Sequence, residues 1–204
     1  MKVFEPYPGI KVYDDVFSWD CQNKIIEQLY KDTNYFIGWG DHFASSDKFL
    51  YSSHNAEDWE IMLTNGTPEH WMNRIAKSEP FLEFSNRELV RSMINLTTIA
   101  DTNEAHTHPN EDVLLYYVNT EWKPHWQGET FFYDSKVKKV VYTSPYIPNR
   151  MIKFDGHIIH RFNTQSRSAP KFRFSISTFF LKEETSEKGF STNQLPTDLK
   201  GLIL

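Results

Sequence analysis

The second half of the chain is a succession of short segments rich in β-branched and aromatic residues, and this pattern constrains the fold more than any other feature. Residues of these types favour strands. Pro-Asn, Gln-Gly and Asp-Gly pairs, which are typical of turns, separate the segments. Seven strands are predicted in this way, at residues 90–99, 113–119, 130–133, 137–143, 151–154, 158–162 and 172–181.

Two helices are predicted before these strands. Ser18 is a typical N-cap for a helix over 19–31, and Thr67-Pro68-Glu69 should open a second helix that runs to residue 77. Many short strands after two helices predict a mainly β protein. The expected fold is a double-stranded β-helix, the jelly roll that cupins also use, with N-terminal supporting helices.

The length of 204 residues suits a single domain spanning residues 1–204. Within it, we expect residues 1–87 to form a helical and irregular support and residues 88–182 to form the jelly-roll core. Residues 183–204 read as a polar C-terminal tail. The oligomeric state cannot be read from these features.

Composition excludes several classes of function. The net charge of -5 argues against nucleic acid as the main partner. Cys21 is the single cysteine, so no intramolecular disulfide can form, which fits a reducing compartment. We find neither a signal peptide nor an apolar run long enough for a bilayer, so a cytoplasmic location without membrane association is expected.

Two closely spaced histidines, His106 and His108, are the first candidates for a metal site. Residues at i and i+2 on a strand point to one face, so both imidazoles could reach one ion. A third ligand from a distant strand would complete a facial set and leave open positions for oxygen chemistry. Alone, such a pair is more often two loop histidines bonded to the backbone. His160 and its rival His157, which would face the opposite way, are the distal candidates.

Four motifs occur together in an order that resembles the iron(II)/2-oxoglutarate-dependent oxygenases, in the branch of prolyl hydroxylases and many phage and marine bacterial homologues. The motifs are Leu115-Tyr116-Tyr117-Val118-Asn119, the segment from Trp122 to Trp126-Gln127-Gly128-Glu129-Thr130, the run from Pro148 to Gly156 leading to His160, and Arg173-Phe174-Ser175. Each is weak alone, but their common order and spacing are fairly specific.

The resemblance implies an enzyme that uses Fe(II), 2-oxoglutarate and O2 to hydroxylate an unactivated C–H bond, with 2-oxoglutarate converted to succinate. It implies that His106, His108 and His160 bind the metal, that Arg173 anchors the far carboxylate of 2-oxoglutarate, and that Tyr117 and Ser175 assist. An arginine fork matches a carboxylate in a narrow barrel. No catalytic residue beyond the metal site is expected. The substrate would be a peptidyl proline or a small metabolite.

The sequence departs from the family at position 108, where the usual acid of His-x-Asp or His-x-Glu is a histidine. Three arrangements remain open: three neutral histidine ligands, an acidic ligand supplied by Glu111 or Asp112, or a vacant position. Two other functions also remain open. One is a non-catalytic, cupin-like module that binds a metal or a carbohydrate, and the other is a three-histidine dioxygenase that does not use 2-oxoglutarate.

Overall fold

The structure is a computed structural model, and it describes residues 1–31, 36–39, 49–55, 78–84, 87–101 and 103–182. The predicted helix over 67–77 and the predicted tail over 183–204 lie outside these residues. Within them, no helix has the length and apolar character needed to cross a membrane.

The described residues form eleven strands and two helices. The strands are β1 (Lys2–Tyr7), β2 (Ile10–Asp14), β3 (Phe36–Trp39), β4 (Phe49–Asn55), β5 (Leu89–Thr97), β6 (Glu111–Tyr117), β7 (Thr130–Tyr133), β8 (Val140–Ser144), β9 (Met151–Asp155), β10 (His160–Phe162) and β11 (Arg173–Leu181). The helices are α1 (Trp19–Lys31) and the short α2 (Glu79–Leu82), and a 3-10 turn covers Pro124–Trp126.

The strands build two antiparallel sheets. The large sheet has the order β1-β2-β9-β6-β11-β5-β4-β3, and the small sheet has the order β10-β7-β8. Neighbouring strands in the large sheet are often far apart in sequence, as in a double-stranded β-helix. The predicted mainly β jelly roll with N-terminal helices is therefore confirmed.

Alternation along the strands separates two cores, one on each face of the large sheet. On β6, Val113, Leu115 and Tyr117 face the small sheet and pack with Phe132 from β7. Leu114 and Tyr116 point to the other face, where the apolar side of α1 covers the sheet with Ile25 and Leu29. The candidate site lies between the two sheets, in the first of these cores.

Most predicted elements are confirmed, with shifts at their ends. Helix α1 has the predicted bounds, and the backbone N–H of Cys21 donates to Ser18 Oγ at 3.3 Å, as expected of an N-cap. The sequence did not predict β1 and β2, because β1 is an exposed edge strand without buried alternation. With β3 and β4, they extend the large sheet into the part of the chain before residue 88.

Candidate functional site

Three histidines from two segments of the chain meet between the sheets. His106 lies in the segment before β6, His108 lies in the turn that leads into β6, and His160 begins β10. One ring nitrogen from each lies within 4.8 Å of the other two. Their ring centroids are 4.6 to 5.1 Å apart. This spacing suits three ligands around one ion.

The backbone holds these histidines in place. His106 and His160 form a two-residue bridge in which each N–H donates to the other's carbonyl at 3.0 Å. The N–H of His108 donates to the carbonyl of Gly156 at 2.7 Å. A Cβ on Gly156 would lie 2.3 Å from the carbonyl oxygen of His108, so this close approach requires glycine.

Hydrogen bonds and burial leave the imidazoles suited to a metal. Nδ1 of His106 lies 2.9 Å from the carbonyl of Glu104, and Nδ1 of His160 lies 2.9 Å from the carbonyl of Ile158. Since a carbonyl only accepts, each Nδ1 carries the proton and each Nε2 keeps its lone pair. Burial is the main cause that lowers the pKa of His108 to about 3 and holds the pKa of His160 well below its usual value. These rings are neutral at neutral pH.

The two acids that the sequence offered as alternative ligands are not in this group. Both carboxylate oxygens of Glu111 bind Arg91, at 2.5 and 3.1 Å. Asp112 accepts a hydrogen bond from Arg87 at 2.7 Å. Among the described residues, the group of potential ligands that includes His160 consists of three histidines.

A cavity extends from the histidines between the sheets, along the inward-facing residues of β5 and β11. Its polar lining includes Asn95, Thr97, Thr130, Arg173, Ser175 and Ser177, and its apolar lining includes Met93, Phe154, Phe162 and Phe179. The pairing of β5 with β11 places Arg173 beside Thr97 and Phe179 beside Arg91. The His108 ring packs against Phe179 with centroids 4.7 Å apart. Arg173 and the histidines therefore line different parts of one cavity.

Arg173 is a buried cation that forms no ion pair with an acid in the described part of the chain, although the charge of Glu129 acts on it. It is 2% exposed, and its Nε donates to the carbonyl of Gly128 at 3.0 Å. Its guanidinium carbon lies 4.8 Å from the ring centroid of Tyr146. Burial lowers the pKa of Arg173, yet a guanidinium stays charged in a protein. Because burying an unpaired charge is costly, this position is suited to receiving an anion.

Tyr117 and Ser175 differ in their access to the cavity. Ser175 is 3% exposed and lines the cavity next to Arg173. Tyr117 is fully buried and is not among the lining residues. Its hydroxyl donates to Thr130 Oγ1 at 2.7 Å, and its ring stacks on Tyr146 with centroids 4.4 Å apart. Tyr117 therefore reaches the cavity through Thr130.

Sequence reasoning missed Thr130 and gave Asn95 no definite role. Thr130 is 2% exposed and lines the cavity, and its place at the end of the Gly-Glu-Thr motif was the available signal. Asn95 also lines the cavity, and its buried Oδ1 has no hydrogen-bond partner in the described part of the chain. His157, the rival distal histidine, is exposed, and its N–H donates to Asp155 Oδ1 at 2.8 Å.

The sequence matches no protein family model and no curated protein, but the structure is similar to several solved oxygenases. A prolyl hydroxylase from Trichoplax adhaerens, solved in complex with a peptide fragment of the hypoxia inducible factor oxygen degradation domain, superimposes with a TM-score of 0.61 and 14% identity over 85% of this chain and 83% of that one. A prolyl-4-hydroxylase from Pseudomonas putida gives a TM-score of 0.57 and 11% identity over 85% and 93%. The alpha ketoglutarate dependent epimerase SnoN of nogalamycin biosynthesis superimposes with a TM-score of 0.57 and 12% sequence identity. The match covers 85% of this chain and 78% of that one.

At these identities, the likeness establishes the fold. The chain has the double-stranded β-helix fold of the 2-oxoglutarate and iron(II) oxygenases, and the resemblance that its motifs indicated is confirmed at that level. The named neighbours include hydroxylases and an epimerase. Since one fold carries different reactions, the function must be argued from this chain's own site.

Proposed function

We propose that the protein is an Fe(II)/2-oxoglutarate-dependent oxygenase that hydroxylates an unactivated C–H bond and converts 2-oxoglutarate to succinate and carbon dioxide. One observation carries the proposal. The buried Arg173, which forms no ion pair in the described part of the chain, shares a cavity with three clustered histidines. A metal-binding module without a keto-acid cosubstrate would have no need for this cation.

In the proposed site, His106, His108 and His160 bind Fe(II) and leave positions open for the cosubstrate and O2. The metal, when bound, supplies the activation of oxygen. Nδ1–H donation to the Glu104 and Ile158 carbonyls orients His106 and His160 so that Nε2 faces the ion. The structure fits the metal because one ring nitrogen of each histidine lies within 4.8 Å of the other two.

The far carboxylate of 2-oxoglutarate would bind Arg173. The guanidinium donates through Nε to Gly128, so its terminal nitrogens can form the two parallel bonds that a carboxylate prefers. Thr130 and Ser175 line the same part of the cavity and can donate hydroxyl protons. Phe154, Phe162 and Phe179 supply apolar walls that limit the access of water to the reacting atoms.

The proposed substrate is a peptide or a small molecule. The Trichoplax neighbour was solved in complex with a peptide, whereas SnoN is an epimerase of nogalamycin biosynthesis. A peptidyl proline therefore remains one candidate among several.

The three-histidine set favours a second candidate, a dioxygenase that does not use 2-oxoglutarate. Such an enzyme would consume oxygen equally well with and without added 2-oxoglutarate. The charge of Arg173 favours the first candidate, because that alternative leaves the buried cation without an anion.

An anaerobic titration of metal-free protein with Fe(II) and 2-oxoglutarate tests the proposal. We expect a saturating visible charge-transfer band of an iron-chelated keto acid. Arg173→Ala should weaken the band strongly and abolish 2-oxoglutarate turnover while metal binding survives. Arg161→Ala is the matched control, because Arg161 donates to the Tyr133 hydroxyl at 2.8 Å and is not among the cavity-lining residues. Tight metal binding without a band, or full turnover in Arg173→Ala, would refute the assignment.

A further inference from the structure

We infer that Glu111 acts as a positioning residue behind His108 and supplies, through a hydrogen bond to His108 Nδ1, the negative charge that an acidic ligand at position 108 would otherwise bring to the metal. This inference rests on the proposed function. It concerns a residue outside the three-histidine group, and it would explain how the site tolerates histidine where the resembling family carries aspartate or glutamate.

The chemical group next to Nδ1 is different for His108 than for His106 and His160. Neutral backbone carbonyls accept from His106 and His160, each at 2.9 Å. For His108, the group paired with Nδ1 among the described residues is the Glu111 carboxylate, whose Oε2 lies 4.0 Å away. This distance is too long for a hydrogen bond. An approach of about 1.2 Å would make it a charge-assisted bond of about 2.8 Å.

A tight turn fixes the two side chains on one side of the chain. The N–H of Glu111 donates to the carbonyl of His108 at 3.2 Å, and Asn110 between them has a left-handed φ of 65°. Gly156 closes the turn from the neighbouring segment, because its N–H donates to the carbonyl of Glu111 at 2.9 Å. The backbone therefore places the carboxylate on the same side of the turn as the His108 ring.

Arg91 holds the carboxylate from the other side. Its guanidinium binds both oxygens of Glu111 and lies over the Phe179 ring, with its central carbon 4.0 Å from the ring centroid. Phe179 in turn packs against the His108 ring. The Glu111 side chain is 14% exposed, so the charge beside His108 is shielded from much of the solvent. Arg91 fixes the orientation of this carboxylate.

A carboxylate that accepts from a ligating imidazole orients the ring and makes it a stronger electron donor. Three neutral ligands leave the full charge of +2 on an ion, whereas a Glu–His pair moves part of a negative charge toward it. With Nδ1–H engaged by Glu111, the Nε2 lone pair of His108 would be free to bind the metal, as the Nε2 lone pairs of His106 and His160 would be. All three histidines would then use the same nitrogen.

Anaerobic metal titration of Glu111→Gln tests the inference, with Asp112→Asn as the control. Asp112 is the adjacent acid, it is engaged by Arg87, and it does not belong to the histidine group. We expect Glu111→Gln to weaken Fe(II) binding about 10- to 100-fold. It should also move the Fe(II)–2-oxoglutarate charge-transfer band to higher energy, because the iron becomes poorer in electrons. Asp112→Asn should change neither quantity.

The variant His108→Asp separates a role through His108 from a structural role. With an acid as the direct ligand, Glu111→Gln should cause no loss of metal affinity, and removal of the nearby like charge could even increase it. The inference would be overturned if Glu111→Gln weakened Fe(II) binding equally in the wild-type and His108→Asp proteins, or if it left the charge-transfer band unshifted. Either result would leave the proposed function intact. A wild-type protein that binds no metal would overturn both.

Discussion

His106 and His160 exchange both of their backbone hydrogen bonds, each at 3.0 Å, although 54 positions separate them in the sequence. This bridge joins the loop that carries His106 and His108 to the first residue of β10. The ring centroids of His106 and His160 consequently lie 4.6 Å apart. A site built on rigid backbone in this way is preorganised, so changes to the backbone contacts should affect metal affinity directly.

Gly156→Ala should weaken metal binding at least about tenfold, since the backbone contacts around His108 orient a metal ligand, and should lower the free energy of unfolding by about 1–3 kcal/mol. The new Cβ would lie 2.3 Å from the carbonyl oxygen of His108 and 2.4 Å from that of Glu111, so the turn must move away. Chemical denaturation and anaerobic Fe(II) titration measure the two effects.

Gly9→Ala is the control for Gly156→Ala. Gly9 has a left-handed φ of 81°, so alanine is strained there by about 1 kcal/mol. Its Cβ would make only ordinary contacts, the nearest being 3.4 Å from Ile158 Cδ1. This variant should lose stability but keep its metal affinity. If Gly156→Ala also keeps its metal affinity, the backbone contact is not what positions His108.

Arg173→Met should leave the ligand-free protein as stable as the wild type, or more stable, while it loses stabilisation by 2-oxoglutarate. The substitution replaces a buried cation that forms no ion pair among the described residues with a shorter, apolar side chain. For wild-type protein with anaerobic Fe(II), 2-oxoglutarate at a hundred times its Kd should add about 2.7 kcal/mol. Thermal unfolding with and without cosubstrate provides both comparisons.

Arg161→Met should respond to 2-oxoglutarate as the wild type does, because Arg161 is not among the cavity-lining residues. A large loss of stability in ligand-free Arg173→Met would instead mean that the Arg173 charge already has a partner within the protein. That result would remove the main support for a cosubstrate anchor.

Thr130→Val should weaken 2-oxoglutarate binding more than Tyr117→Phe does. Thr130 Oγ1 accepts the Tyr117 hydroxyl proton at 2.7 Å, so its own proton can be donated into the cavity that it lines. Loss of a hydrogen bond to a charged group costs about 1.5–3 kcal/mol, or roughly tenfold or more in Kd. Tyr117→Phe removes the bond behind Thr130 but leaves the Thr130 hydroxyl in the cavity. Titration of the charge-transfer band measures both, and a larger effect of Tyr117→Phe would restore the direct role that the sequence suggested for Tyr117.

The sequence allowed the jelly roll and the meeting of the histidines to be predicted, because both follow from local patterns. The alternation of apolar and polar residues and the turn residues define β5 to β11. The i, i+2 spacing of His106 and His108 brings both rings to one place, although these residues lie outside the named strands. The motif order supplied the distal His160.

Features that depend on contacts between distant strands could not be predicted. The pairing of β11 with β5 places Arg91 beside Phe179, and only this register brings Arg91 to Glu111. Similarly, the alternation of β6 puts Tyr117 on the inner face, but it does not reveal that Thr130 stands between its hydroxyl and the cavity. From the sequence alone, Glu111 could therefore be interpreted either as a metal ligand or as an ion-pair partner. Only the structure shows that its carboxylate binds Arg91.

Glu83→Gln should destabilise the protein by about 1 kcal/mol above pH 5, and this difference should disappear in acid. Glu83 follows α2 and accepts from Lys11 at 2.8 Å, from Lys153 at 2.7 Å and from the hydroxyl of Tyr13. Burial raises the pKa of Glu83, but these hydrogen bonds outweigh it and lower the pKa from 4.5 to about 2. Since the folded-state pKa is the lower one, the stabilisation is complete above pH 4.5 and is lost as the pH falls toward 2.

Urea denaturation of wild type and Glu83→Gln between pH 7 and pH 2 measures this difference. Glu121→Gln is the control, because that exposed carboxylate lies 3.8 Å from Lys123 and has no further ion pair among the described residues. The stability difference between wild type and Glu83→Gln should shrink steadily below pH 4.5 and be mostly lost at pH 2, whereas wild type and Glu121→Gln should be equally stable throughout. A Glu83 difference that persists at pH 2 would mean that packing of the side chain, and not its charge, connects the segment after α2 to β2 and β9.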